Sequence, residues 1–128
     1  MGHVTVLVKN YEEAVKYYTE VLGFELKSDT PFGNGMRWVT VAPPKQKELE
    51  IVFVEANTQS MSERVGNQAA EHVFLVLETD DCMKDFHTLK SRGVKFYGEP
   101  QEMPWGIEVV FEDLYGNIYD LLQVKSFE

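Results

Sequence analysis

Two histidines and two carboxylates stand at matched places in this chain. His3 opens residues 3–26 (HVTVLVKNYEEAVKYYTEVLGFEL) and His72 opens residues 72–96 (HVFLVLETDDCMKDFHTLKSRGVKF). Both runs read as strand, helix, glycine, strand. Glu50 follows Gly23 by 27 positions, and Asp120 follows Gly93 by the same 27. Two half-units that each offer an imidazole near the start and a carboxylate near the end could gather four ligand-type side chains around one central space.

Each candidate also has an ordinary explanation. His3 lies close to the N-terminus, where solvation suffices. Glu50 keeps acidic company at Glu48 and Glu55, as a solvated strand end would. Asp120 sits between Tyr119 and Leu121, where a buried charge calls for a partner such as Arg37. His72 is the least regular of the four. Aligning the two helices sets Phe74 opposite His3, and aligning the glycines sets Val73 there. His72 shares a face with Phe74 but lies roughly 7 Å nearer the strand start. The fourth position is therefore open between His72 and Phe74. His87, on the second helix, is expected to be exposed.

Positioning these side chains falls to two similar sets of elements. Residues 3–8 are apolar and rich in β-branched types, which suits a strand. Asn10 is a suitable N-cap, Glu12 and Glu13 complement the helix dipole, and Ala14, Tyr17, Tyr18, Val21 and Leu22 recur at helical spacing until Gly23. Strand character returns at 24–28, 36–42 and 49–55, so the first half is β-α-β-β-β. The second half repeats this order, with strands at 72–77, 94–96, 107–112 and 118–124 and a helix capped by Asp80 or Asp81. Residues 99–106 (EPQEMPWG) read as a loop. The whole is expected to be one domain over 1–128: a first module over about 1–56, a polar linker with a short helix over about 57–70, and a second module over about 71–128. One helix per half cannot cover both faces of a sheet, so the copies are expected to curve together around a shared cavity.

Composition narrows the partners. A formal charge of −9 argues against a nucleic acid, which would call for a basic surface, and disfavours anionic membranes. No apolar run approaches the ~20 residues that span a bilayer, and the start lacks a basic region followed by an apolar stretch. A cytoplasmic protein is the expectation. The one cysteine, Cys82, leaves no internal disulfide and no Cys-rich zinc site.

The motifs HVTVLVKNYEEAVKYYTEVLGFEL, MRWVTVAPP, TDDC with LKSRGVKF, PWG, and FEDLYGN followed by a strand resemble the glyoxalase/bleomycin-resistance/extradiol-dioxygenase superfamily, also called vicinal oxygen chelate proteins. The resemblance covers nearly the whole chain. It implies an α+β fold in which paired βαβββ modules form a cupped, mainly antiparallel sheet around a central cavity, commonly in homodimers. In the metal-using members, ligands come from the first and last strands of each module. Carried onto this chain, that implies His3, Glu50, His72 and Asp120 around a divalent Zn, Ni, Fe, Mn or Co ion. Two functional classes follow from the resemblance. One is a glyoxalase I-like lyase or isomerase, whose ion polarises vicinal oxygens while Glu50 or Asp120 moves the proton. The other is a metal-free protein that sequesters an antibiotic or an aromatic or cationic compound between hydrophobic walls. Either class takes a small-molecule ligand. Phe32, Arg37, Trp38, Phe74 and Trp105 are the expected contacts, with Arg37 open between a substrate carboxylate and a neighbouring acid.

Overall fold

The computed structural model describes residues 2–33, 35–44, 49–67, 69 and 72–125 of the 128. The first half is β1 (Gly2–Val8), α1 (Tyr11–Lys16), one wider π-helical turn (Tyr17–Val21), β2 (Glu25–Gly33), β3 (Met36–Ala42) and β4 (Leu49–Glu55). A short helix, α2 (Gln59–Arg64), falls in the expected linker. The second half is β5 (Leu75–Glu78), α3 (Cys82–Ser91), β6 (Lys95–Phe96), β7 (Gln101–Met103), β8 (Gly106–Glu112) and β9 (Ile118–Val124).

The helix signals act as their chemistry predicts. The Asn10 side chain accepts from the Glu13 N–H at 3.0 Å, and the Asp81 side chain accepts from Lys84 N–H at 3.1 Å. Gly23 and Gly93 follow their helices with φ of 79° and 91°, the left-handed geometry that ends a helix at glycine. The two glycines thus hold equivalent helix-ending positions.

The strands form two sheets with the same plan. The first has the order β1-β4-β3-β2 and the second β5-β9-β8-β6, with β7 also pairing β8. In each, the first and last strands of the half pair in parallel, β1 with β4 and β5 with β9, whereas the remaining pairs are antiparallel. The halves share one core. Val6, Val8, Val39, Val41, Ile51 and Phe53 from the first sheet and Leu77, Val109, Phe111, Tyr119 and Leu121 from the second are all buried in it.

A polar link stitches the halves together inside that core. The Tyr18 hydroxyl donates to Asp113 Oδ2 at 2.5 Å and lies 2.7 Å from the Tyr119 hydroxyl. Asp113 also accepts from the Asn117 side-chain amide at 3.0 Å and from the backbone N–H groups of Tyr115 and Asn117, both at 2.9 Å. A buried carboxylate with this many donors is satisfied. Burial of the phenols, next to the Asp113 charge, pushes the pKa values of Tyr18 and Tyr119 upward.

Two expectations are revised. Residues 99–106 hold a short strand, β7, which returns through Pro104 and Trp105 into β8; three residues flanked by prolines are too few to show a strand period. The expected strand at 72–77 begins only at Leu75, because His72 donates its backbone N–H to the Ala69 carbonyl at 3.0 Å and so belongs to a turn.

Candidate functional site

Alternation decides which side chains leave the core. Since Val6, Val39, Val41, Ile51 and Phe53 face inward, His3, Trp38, Thr40, Glu50 and Val52 occupy the opposite face of the first sheet. His3 is the register partner of Glu50, and its Nε2 lies 3.8 Å from Glu50 Oε1. The His3 ring also meets Trp38 edge-on, centroids 5.7 Å apart and planes at 60°. Trp38 is 43% exposed. Thr40, on the same face, is fully buried, and its hydroxyl has no hydrogen-bond partner among the described residues.

The second sheet carries a different group on its corresponding face. Tyr119, Leu121, Val109 and Phe111 point into the core, so Asp120, Glu108 and Val110 point away from it. Desolvation first, then the neighbouring Glu108 charge and a hydrogen bond with Glu108, push the Asp120 carboxyl up to about 6. A hydrogen bond between two carboxyl groups requires a shared proton. Asp120 Oδ1 is buried without a partner among the described residues, and Glu108 also accepts from the Trp105 indole N–H. Glu108 lines a hollow of about 210 Å³ with Tyr97, Glu99, Gln101 and Met103. Hollows of about 310 and 300 Å³ flank the end of β9, between Glu78, Thr79 and Asp80 on one side and Met103, Ile107 and Lys125 on the other.

The structure brings the candidate ligands together in part. His3 and Glu50 adjoin. Asp120 faces Val76, its register partner, in the place where Glu50 faces His3. His72 is exposed, three residues before β5, with Nδ1 3.2 Å from the Val73 carbonyl oxygen. Phe74 packs half-buried against Tyr119 with centroids 6.1 Å apart. Arg37 lies on the other side of β3 from Trp38. It pairs with Asp29 through Nε and Nη2 at 3.0 and 2.6 Å and with Glu12 at 3.0 Å, and its guanidinium covers the Tyr11 ring. A guanidinium so occupied is a structural cation. Phe32 is on β2, its side chain outside the described part, as is Glu48. His87 is exposed at the end of a ring contact with Phe86, and Cys82 is a buried thiol pushed up to about 11 by desolvation and nearby acids.

This donor set does not suit a four-ligand metal centre within one chain. One sheet offers an imidazole and a carboxylate, the other two neighbouring carboxyl groups, and a valine fills the position opposite Asp120. Among the described residues, no three His, Cys, Asp or Glu side chains gather as a metal-binding group. Sequence spacing missed Glu108, Val76 and Thr40. Glu108 was within reach: it alternates with Val110 and Glu112 along β8, which puts it on the polar face. Val76 depends on strand register, and Thr40 looks like one more β-branched residue in an apolar run.

Comparison with known proteins is consistent across the chain. An uncharacterized protein of Shewanella frigidimarina is 40% identical over 125 residues, covering 97% of this chain and 93% of that protein. TnmS3, an antibiotic binding protein from Streptomyces sp. CB03234, is 34% identical with a TM-score of 0.78, over 96% of this chain and 93% of that one. A glyoxalase/bleomycin resistance protein from the same Streptomyces is 35% identical, with a TM-score of 0.76 over 94% and 97%. No helix among the described residues is long and apolar enough to cross a membrane. Residues 1–121 match the Glyoxalase/Bleomycin resistance protein/Dioxygenase superfamily, and the chain belongs to that superfamily.

Proposed function

We propose that this protein binds a small aromatic compound, of the antibiotic type, on the open faces of its sheets and releases it unchanged. The observation that carries this reading is Val76 opposite Asp120, where His3 stands opposite Glu50: the second sheet lacks the imidazole that would complete a ligand set. The aromatic surface favours binding too. Trp38 and Trp105 are each about half exposed on the two faces that carry the acids. The antibiotic-binding relative supports the same class of ligand, and the charge of −9 favours a neutral or cationic one.

Met36 and Trp38 on the first sheet and Val76, Trp105 and Val124 on the second leave large apolar side chains exposed. A second copy laid against these faces would cover them, so a homodimer belongs to this proposal.

One observation favours a second reading, a lyase or isomerase assisted by a divalent metal: a carboxyl raised to about 6, as at Asp120, is poised to take or give a proton near neutrality. Metal analysis and binding separate the two. The purified protein is expected to carry substoichiometric Zn, Ni, Fe, Mn and Co, to keep its melting temperature in chelator, and to bind proflavine, a planar cationic acridine, by tryptophan quenching. A stoichiometric metal lost in His3→Ala and Glu50→Ala would overturn the binding reading in favour of the second.

A further inference from the structure

We infer that Trp38 is a movable cover over the buried Thr40 side chain, and that the Thr40 hydroxyl, once uncovered, recognises a hydrogen-bonding edge of a planar ligand. This rests on the binding reading above and adds the group that would choose among ligands.

His3 is on β1 and Trp38 on β3, with β4 between them. His3 pairs with Glu50, whereas Val39, next to Trp38, pairs with Phe53. With strands about 4.8 Å apart and a rise of about 3.3 Å per residue, these backbones are separated by more than about 10 Å. Ring centroids only 5.7 Å apart therefore require both side chains to lean towards each other across the intervening row. That row is Ser28, Thr40, Val52 and Thr5, which pair in sequence from β2 to β1.

The lean explains an otherwise odd pattern of burial. Thr40 is 0% and Val52 8% exposed, although both lie on the face turned away from the core. Under that roof, Thr40 Oγ1 has no hydrogen-bond partner among the described residues, and its neighbour towards β1, Val52, is apolar. A buried hydroxyl left unpaired destabilises the fold. A ligand N–H or carbonyl arriving on this face would pair it. The roof itself is light: Trp38 is held towards His3 by one edge contact and remains 43% exposed. Swung aside, the indole becomes a wall for stacking and the hydroxyl becomes accessible. The ligand class is therefore a flat aromatic with an amine, amide or carbonyl on its edge.

Two acridines test this. Proflavine carries edge amino groups, and N-methylacridinium has the same flat cation without them. Thr40→Val removes the hydroxyl at nearly constant volume, so it is expected to keep or raise the melting temperature while weakening proflavine about tenfold and leaving N-methylacridinium within about twofold. Thr40→Ser, which keeps the hydroxyl, should hold proflavine affinity within about threefold. Unchanged proflavine affinity in a folded Thr40→Val, or equal losses for both acridines, would overturn this inference while leaving the binding reading intact. If the unmodified protein binds neither acridine, both fall.

Discussion

The two sheets share a plan and a core, yet their outward faces have diverged. On the first sheet an imidazole, a carboxylate and an indole sit together, with His3 touching both Glu50 and Trp38. On the second, two carboxyls and an indole sit together, with Glu108 touching both Asp120 and Trp105. Each face thus joins an acid on the last strand to a tryptophan through a third residue. Only that linking residue differs in chemistry. The lesson is that symmetry of the fold is enforced by apolar alternation, which both halves keep, whereas symmetry of a site needs register as well, and register is where β1 and β5 part.

The hairpins beside the two faces should differ most when perturbed. A methyl group at Gly106 would lie 2.1 Å from the Gln123 carbonyl oxygen, whereas one at Gly35 meets nothing within 4 Å. Gly106→Ala is therefore expected to cost about 3 kcal/mol or more, and Gly35→Ala about 1 kcal/mol from its left-handed backbone alone, as denaturant unfolding would measure. Equal losses would remove the claimed difference in how closely the hairpins are seated.

Ligand affinity comes next. Trp38 is free to stack once it leaves His3, whereas the indole N–H of Trp105 is tied to Glu108. Trp38→Ala should weaken proflavine about tenfold, and Trp105→Ala about threefold, in a fluorescence or calorimetric titration. The reverse order would place the working face on the second sheet.

The smallest effect is in pH. The folded carboxyl of Asp120 titrates near 6, above its ordinary value, so between about pH 4 and 6 the folded state holds a proton that the unfolded chain has lost. Stability from this group is full below that window, falls as the pH rises through it, and is level above. Asp120→Asn is expected to flatten that slope in unfolding curves taken across the window. A slope unchanged by the substitution would mean that the pair with Glu108 does not hold the proton.

Much of the fold was legible because it is written in local signals. The strands at 36–42, 49–55 and 118–124, the Asn10 and Asp81 caps and the glycine stops appear where composition and spacing put them. The site was legible only where neighbours in space come from strands of clear register, as with His3 and Glu50. Linear spacing sets His72 near the start of a strand, but a backbone hydrogen bond to Ala69 turns it away first. Arg37 had two chemically equal uses, and only the positions of Asp29 and Glu12 settle on the ion pair. Glu108 meets Asp120 across two strands, a relation that no count along the chain contains.

The parallel pairing of first and last strands has a consequence for the birth of the molecule. β1 leaves the ribosome first in its half, but its partner β4 comes last in that half, and β5 waits in the same way for β9. Each half stays open at one edge until nearly all of it has been made, and Tyr18 meets Asp113 and Tyr119 only after a further 95 and 101 residues have been made. Such long-range closures are slow and leave strand edges bare in the meantime. A newly made copy is therefore most exposed to mispairing, with its twin half or with a neighbouring chain, in the interval before β9 arrives.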